Sequence, residues 1–208
     1  MSGHINRNPS LLSRFVRRII IWVYDLKGWK LDGHLPKDFK KYVIAGAPHS
    51  SGWDYVFFLG ATAEEGVRPN VMAKHTLFRW PMKNFLLDMG GIPIDKTKRT
   101  NAVEQMAEEF EKRDELALVI AAEGTRTTDG AWKSGFYNIA VAAKVPIILA
   151  WVCNERNILG FSEPIWPTGN YGEDLAKIAG FMRSKLPNFD RFKVLEAQAE
   201  KIKLENSA

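Results

Sequence analysis

The sequence predicts an α/β protein in which helices on both faces flank a mostly parallel sheet, with an amphipathic helix at the N-terminus. Two unbroken apolar runs, residues 116–122 and 145–152, are typical of strands that are covered on both sides. A third apolar segment, residues 42–47, has the same character, and segments of helical periodicity lie between the three. Strands that alternate with helices usually pair in parallel, because each helix carries the chain back across the sheet.

Helical periodicity and capping residues locate the predicted helices. Residues 9–27 form the N-terminal helix, and residues 28–41 form a polar connector. Ser51 is suited to cap the helix after the first strand, and Asn101 with Glu104 has the spacing of a capping box. The other predicted helices are residues 76–89, with Pro81 near a kink and Gly90 and Gly91 as the stop, residues 132–144, a segment around 175–182 and a weaker helix from Phe192.

Length and composition fit one main domain with a small N-terminal segment. The chain has 208 residues, of which 46% are hydrophobic, which is ample for a real core. We expect residues 1–40 to form the N-terminal helix and connector, and residues 41–208 to form the α/β domain. The single cysteine, Cys153, leaves no disulfide framework and favours a reducing compartment. No segment approaches the ~20 apolar residues of a membrane span, so any membrane contact is expected to be peripheral.

The N-terminal helix has two interpretations that are compatible with each other. Arg14, Arg17 and Arg18 accompany an apolar face, and basic amphipathic helices of this kind lie in membrane interfaces. The alternative is a helix that packs on the core of its own domain and keeps its arginines in water. The net charge of +5 favours an anionic partner in either case.

His49 and Asp54 lie in a polar turn between the strand at residues 42–47 and the apolar helix that follows it. Open α/β sheets place their sites at the carboxyl ends of strands. An imidazole can accept a proton near pH 7, and a carboxylate on its second ring nitrogen fixes its tautomer. Each residue also has an ordinary alternative: a structural histidine, and an acid that stabilises a helix N-terminus.

Two further polar segments carry candidate site residues, and the first of them follows the predicted strand at residues 116–122. The first consists of Glu123, Gly124, Thr125 and Arg126. Its side chains offer hydrogen bonds for a polyol and a charge for a phosphate, although alone it is equally consistent with a surface turn. The second, residues 90–99, ends in a cationic loop with Lys96, Lys98 and Arg99, which alone is typical of a solvated basic loop.

Together and in this order, these segments resemble the glycerolipid acyltransferases, which include the lysophosphatidic acid acyltransferases. That family carries His-x-x-x-x-Asp, Gly-x-x-Phe-Ile-Asp-Arg, Glu-Gly-Thr-Arg and an apolar Val-Pro-Ile block. The matching stretches are residues 49–54, 90–96, 123–126 and 145–148, and the resemblance covers about residues 40–155. In the second block Pro93 replaces phenylalanine and Lys96 replaces arginine, and lysine lacks the bidentate fork of arginine.

The resemblance implies an O-acyltransferase of phospholipid biosynthesis. It implies transfer of a fatty acyl group from an acyl carrier protein or coenzyme A thioester to the hydroxyl of a lysophospholipid such as 1-acylglycerol-3-phosphate. The implied roles are general base for His49, orienting partner for Asp54, acceptor binding for Glu123, Gly124 and Thr125, and phosphate binding for Arg126, Lys96 and Arg99. It implies no cofactor or metal, and we expect a cytoplasmic protein that binds peripherally to the inner face of the cell membrane.

Other classes of function fit the sequence less well. No Gly-x-Ser-x-Gly elbow supports a hydrolase, and the four histidines form no recognisable metal-ligand pair. The cationic loop is too short for a nucleic-acid surface. Two alternatives stay open: an enzyme of this fold that acts on a different hydroxylated lipid, and a non-catalytic peripheral lipid-binding protein.

Overall fold

The computed structural model describes residues 9–48, 52–95, 97, 101–124 and 129–207. The strands within these ranges are β1 (Lys30–Asp32), β2 (Lys41–Ala47), β3 (Pro69–Lys74), β4 (Gly91–Ile94), β5 (Leu116–Ala121), β6 (Ile147–Cys153) and β7 (Ile158–Phe161). The helices are α1 (Leu11–Leu26), α2 (Gly52–Glu64), α3 (Met82–Asp88), α4 (Ala102–Lys112), α5 (Gly135–Ala143), α6 (Tyr171–Lys185) and α7 (Arg191–Ser207), with a 3-10 turn at His75–Leu77.

The strands form one sheet in the order β1-β7-β6-β2-β5-β3-β4. Neighbouring strands are parallel, except for β6 and β7, which pair antiparallel. Its centre is built by β5, β2 and β6, the three apolar segments that the sequence marks as covered strands. The predicted fold class, a mostly parallel sheet flanked by helices with an N-terminal helix, is confirmed.

The two faces of the sheet carry separate apolar cores. On β2, Ile44 belongs to the core beneath α1 and α2, which also includes Tyr24 and Phe58. Its neighbour Val43 points the other way, into the core beneath α4, α5, α6 and α7. Successive side chains of β2 therefore pack under helices on opposite faces of the sheet. Because both faces are covered, the sequence of the strand is apolar without interruption.

Four strands of the sheet, β1, β3, β4 and β7, were not predicted. β1 lies in the segment expected to be a connector, and β7 follows the last predicted strand. Gly160 weakens the strand signal of β7, because glycine has low strand propensity. The structure requires that glycine, since a Cβ at this position would be 2.4 Å from the indole ring of Trp151 on β6. The position of β7 therefore depends on its packing against β6, and such cross-strand packing leaves little periodicity in the sequence.

The helix predicted over residues 76–89 is wrong in its first half. Residues 75–77 form a separate 3-10 turn, and α3 begins only at Met82. Pro81 has no backbone N–H and restricts the residue before it, so a helix can begin after this proline but not continue through it. Gly90 ends the helical segment as predicted, with a φ of 86° that favours glycine.

Five parallel strands end at the same edge of the sheet. At this carboxyl edge, β2 leads to Pro48, β5 to Glu123, β3 to His75, β4 to Asp95 and β6 to Asn154. The topology therefore brings the polar segments from distant parts of the sequence to one side of the molecule, where open α/β sheets bind their ligands.

Candidate active site

Asp54 lies in the first turn of α2, directly above the carboxyl end of β2. Its side chain is buried, with only 7% of the residue exposed. The N-terminus of a helix favours a carboxylate, because the first backbone N–H groups point towards it. His49, Ser50 and the predicted cap Ser51 lie outside the described residues. Of the predicted pair His49 and Asp54, the structure therefore describes only Asp54.

Glu123 and Gly124 begin the loop that follows β5. The backbone N–H of Ala122 donates to the carbonyl oxygen of Gly46 on β2 at 3.1 Å, which keeps this loop beside the end of β2. The side chain of Glu123 is fully buried, and Arg191 of α7 donates from Nη1 to its Oε2 at 3.3 Å. Gly124 has a φ of 77°, a left-handed conformation that favours glycine. Thr125 and Arg126 lie outside the described residues.

The basic loop after β4 is fixed at its first residue, Asp95. The backbone N–H of Asp95 donates to Oε1 of Gln105 at 3.0 Å, and Nε2 of Gln105 donates back to the carbonyl oxygen of Asp95 at 2.8 Å. Nδ1 of His75 lies 3.4 Å from the carboxylate of Asp95. Lys96 and Arg99 lie outside the described residues. Since β4 is the third strand from β2, this loop starts roughly 14 Å from the end of β2, at about 4.8 Å per strand.

An apolar cavity of about 420 Å³ lies between α2 and the sheet and reaches the carboxyl edge. It crosses five strands, and its lining residues are Gly46, Ala47, Pro48, Asp54, Phe58, Val71, Val119, Ile120, Ala121, Ala150, Trp151, Val152 and Leu159. Asp54 is the one charged residue among these described lining residues. The cavity is thus an apolar space with a carboxylate at its polar end.

Small residues on three adjacent strands make room for this cavity. Gly46 on β2 pairs in register with Ala121 on β5 and with Ala150 on β6. A Cβ added to Gly46 would meet no atom within 4 Å, so the space above it is open. No local sequence pattern predicts this row, because the three residues are far apart along the chain and align only through the strand register.

The structure also shows polar contacts to the site that sequence patterns did not reveal. Gln105 was predicted only as part of a helix, and Arg191 lies 68 residues after Glu123. Local sequence patterns do not predict a contact between residues so far apart in the chain. Within the described parts of the chain, no group of three or more histidine, cysteine, aspartate or glutamate side chains is arranged to hold a metal ion.

The fold and the site define an α/β protein with an apolar cavity at the carboxyl edge of its sheet, the edge where open α/β sheets bind their ligands. The chain belongs to the acyltransferase family, since the model of that family, described as Acyltransferase, matches residues 32–152. This confirms the family and the enzyme class predicted from the four sequence blocks. The matched residues include Asp54 and Glu123 but not α1, α6 or α7.

A solved structure supports the same fold. The chain resembles the crystal structure of the 1-acyl-sn-glycerophosphate (LPA) acyltransferase PlsC from Thermotoga maritima, with a TM-score of 0.56. The two share 20% sequence identity, and the similarity covers 85% of this chain and 81% of the other. No curated protein is similar enough to this chain to count as a match.

Proposed function

We propose that the protein transfers a fatty acyl group from an acyl thioester, on acyl carrier protein or coenzyme A, to the hydroxyl of a lysophospholipid. The observation that carries this proposal is the apolar cavity with the Asp54 carboxylate at its polar end. Acyl transfer needs an apolar space for the chain and a polar group close to the thioester, and the cavity offers both. The thioester is a substrate, and the proposal includes no further cofactor.

In the proposed reaction, His49 is the general base. Its imidazole takes the proton from the acceptor hydroxyl while the oxygen attacks the thioester carbonyl carbon. The carbon–sulfur bond then breaks, and the thiolate leaves with the proton that the imidazolium returns. Asp54 orients the imidazole and stabilises its cationic form, and its burial strengthens that interaction because water is excluded. No acyl-enzyme is formed.

We propose that the acceptor binds on the neighbouring strands. Glu123, Gly124 and Thr125 place its polar groups, while Arg126, Lys96 and Arg99 meet its phosphate. The default acceptor is 1-acylglycerol-3-phosphate, because an enzyme named for that substrate has a similar fold. In the second block Lys96 stands where the family has arginine. Since a lysine meets phosphate as a point charge, the acceptor could instead be a lysolipid with a different head group.

We propose that the protein binds peripherally to the inner face of the cell membrane through α1. The supporting observation is a row of apolar side chains that α1 exposes on one face: Leu11, Leu12, Phe15, Ile19, Trp22 and Leu26. Arg14 and Arg18 are exposed beside this row and suit an anionic lipid surface. Among the described helices, none is long and apolar enough to cross a membrane.

The opposite side of α1 packs on the protein itself. Tyr24 is buried against α2, where its ring takes the place that a side chain at Gly60 would need, and its hydroxyl donates to Glu64 at 3.1 Å. Ser13 donates to Asp88 of α3 at 2.9 Å. Both interpretations of the N-terminal helix are thus compatible with the contacts: one side packs on the domain, and the other is available to a lipid surface.

A mass-spectrometric assay tests the proposed reaction. A panel of lysolipids is offered with acyl carrier protein and coenzyme A thioesters, and we expect a diacylated product that contains the lysolipid's head group. His49→Ala is expected to abolish the product while leaving the circular dichroism spectrum unchanged. Wild-type turnover in this variant would exclude His49 as the base.

The same panel separates the two alternatives. Product formation only with acceptors that lack a glycerophosphate group would replace the proposed acceptor by another hydroxylated lipid. Binding of lysolipids without product for any donor would identify a non-catalytic lipid-binding protein.

A further inference from the structure

The loop between β5 and α5 is held by a helix from a distant part of the chain. This loop begins at Glu123, the proposed acceptor-binding residue, and ends at Trp132. Two side chains of α7 contact this loop, and the first residue of α7 is 68 positions after Glu123. α7 lies outside residues 32–152, the part of the chain that the acyltransferase family model matches.

At the start of the loop, Arg191 of α7 pairs with Glu123. Nη1 of the guanidinium lies 3.3 Å from Oε2 of the carboxylate, and the Glu123 side chain has no exposed surface. A buried carboxylate needs partners that satisfy its charge, so the direction of this side chain depends on the groups that meet it. The Arg191 side chain is 31% exposed, so its charged guanidinium contacts the buried carboxylate of Glu123 from the side that faces solvent.

At the end of the loop, Gln198 of α7 binds the backbone of Trp132 through two hydrogen bonds. Its Oε1 accepts from the N–H of Trp132 at 2.8 Å, and its Nε2 donates to the carbonyl oxygen of Trp132 at 2.9 Å. The indole ring of Trp132 is buried and packs edge-on against Phe136 of α5. The loop is thereby also held by α7 at a point three residues before α5 begins.

At Gly130, between these two points, the loop lies directly on α7. Gly130 has a φ of 114°, and a Cβ at this position would be 2.6 Å from the carbonyl oxygen of Arg191. Only glycine allows this approach of two backbones. Arg191 and Gln198 are seven residues apart, about two helical turns, so both face the loop from one side of α7.

We propose that α7 is the positioning element of the Glu123–Trp132 loop, so that Arg191 and Gln198 set the affinity for the acceptor without touching it. The acceptor part of this inference rests on the proposed function. Glu123 can serve an acceptor only if its carboxylate keeps one direction, and the contacts with α7 supply that constraint at both ends of the loop.

Hydrogen–deuterium exchange tests the positioning without any need for activity. In Arg191→Gln and Gln198→Leu, we expect the amides of residues 122–132 to exchange at least about tenfold faster than in the wild type. Peptides from β2 and β6 are expected to keep their wild-type rates. Arg183→Gln is the matched control, because Arg183 is also 31% exposed and also meets a glutamate across α6 and α7, Glu196, at 3.8 Å.

Steady-state kinetics test the link to the acceptor. We expect Arg191→Gln to raise the acceptor KM about tenfold and to change the donor KM by less than about twofold. Arg191→Lys is expected to restore part of the acceptor affinity, because it keeps the charge but not the planar fork. A purely structural loss would instead lower kcat through the folded fraction and leave both KM values unchanged.

Each outcome decides one part of the proposal. Unchanged exchange of residues 122–132 in both variants, or equal acceleration in Arg183→Gln, would show that α7 does not position the loop. Faster exchange with an unchanged acceptor KM would keep the positioning and remove its link to the acceptor. If the wild-type protein acylates no lysolipid, the proposed function fails, while the exchange rates still decide the role of α7.

Discussion

Asp54 combines two properties that a helix cap does not need. It is 93% buried, since only 7% of the residue is exposed, and it lies at the end of the apolar cavity. An acid that only stabilises a helix N-terminus works equally well at the surface. Burial beside a ligand space is therefore the observation that favours a catalytic over a capping role.

Asp54→Asn is expected to lower kcat on the order of 100-fold or more, because the amide keeps the size of the side chain but neither orients nor stabilises an imidazolium. The measurement is the rate of acyl transfer at saturating donor and acceptor. Asp32→Asn is the control, since Asp32 lies on β1, three strands away from β2, and pairs with Lys185 at 2.9 Å. Full activity in Asp54→Asn would reduce this residue to a helix cap.

Gly46 is expected to set the length of the acyl chain that the cavity accepts. Gly46→Leu fills open space with an apolar side chain, so we expect transfer of long chains to fall at least about tenfold relative to short chains. The measurement is competition between thioesters of different chain length. Gly180→Leu is the matched control, because Gly180 on α6 is exposed and also has open space beside it. An unchanged chain-length profile in Gly46→Leu would place the acyl chain elsewhere.

At the scale of one element, α1 carries the proposed contact with lipid. Replacing Leu11, Phe15 and Trp22 by serine removes apolar area that one face exposes at 81%, 62% and 62%. We expect binding to vesicles of phosphatidylglycerol and phosphatidylethanolamine to weaken by at least about tenfold. The measurement is co-sedimentation at low and high salt.

The control for α1 uses exposed apolar residues on other helices. Val141 on α5 and Leu204 on α7 are 41% and 71% exposed, and we expect their replacement by serine to leave vesicle binding unchanged. Equal loss in both sets of variants would mean that binding follows general surface hydrophobicity. Unchanged binding after the α1 replacements would remove α1 from the lipid contact.

For the whole molecule, the sequence predicts the centre of the sheet better than its edges. The strands β2, β5 and β6 are buried on both faces, so their apolar runs are long enough to recognise. β1 and β7 have three and four residues, and β1 is placed by pairing with β7, which is far away in sequence. Short edge strands leave no such run.

The same distinction applies to the site. The ordered sequence blocks predicted the family and placed the site at the carboxyl ends of the strands, because strand ends and polar turns are local features. The cavity, the row of Gly46, Ala121 and Ala150, and the hold of α7 on the loop were not predicted. Each depends on register or on contacts across the fold, which local sequence patterns do not contain.

The stability of the whole molecule is expected to depend on pH through Asp174, at the start of α6. Burial opposes the charge of this carboxylate, but hydrogen bonds from Thr168 and from the hydroxyl of Tyr137, with Lys177 nearby, outweigh it and hold its pKa below the ordinary value of 3.8. A pKa that is lower in the folded state means that the ionised group stabilises the fold above the unfolded pKa. That stabilisation is lost as the pH falls through the folded pKa.

Asp174→Asn is therefore expected to lower the free energy of unfolding by about 2 kcal/mol at neutral pH, because an amide cannot accept all the hydrogen bonds that the buried carboxylate accepts. Urea denaturation of the variant and the wild type should give a constant difference between pH 8 and pH 5, which shrinks below about pH 4 as the wild type loses its advantage. Asp190→Asn is the matched control: the pKa of Asp190 is also lowered, by a hydrogen bond from Lys193, but its side chain is exposed, so solvent screens the interaction. A difference for Asp174→Asn that does not change down to pH 3 would assign its effect to packing and not to the charge.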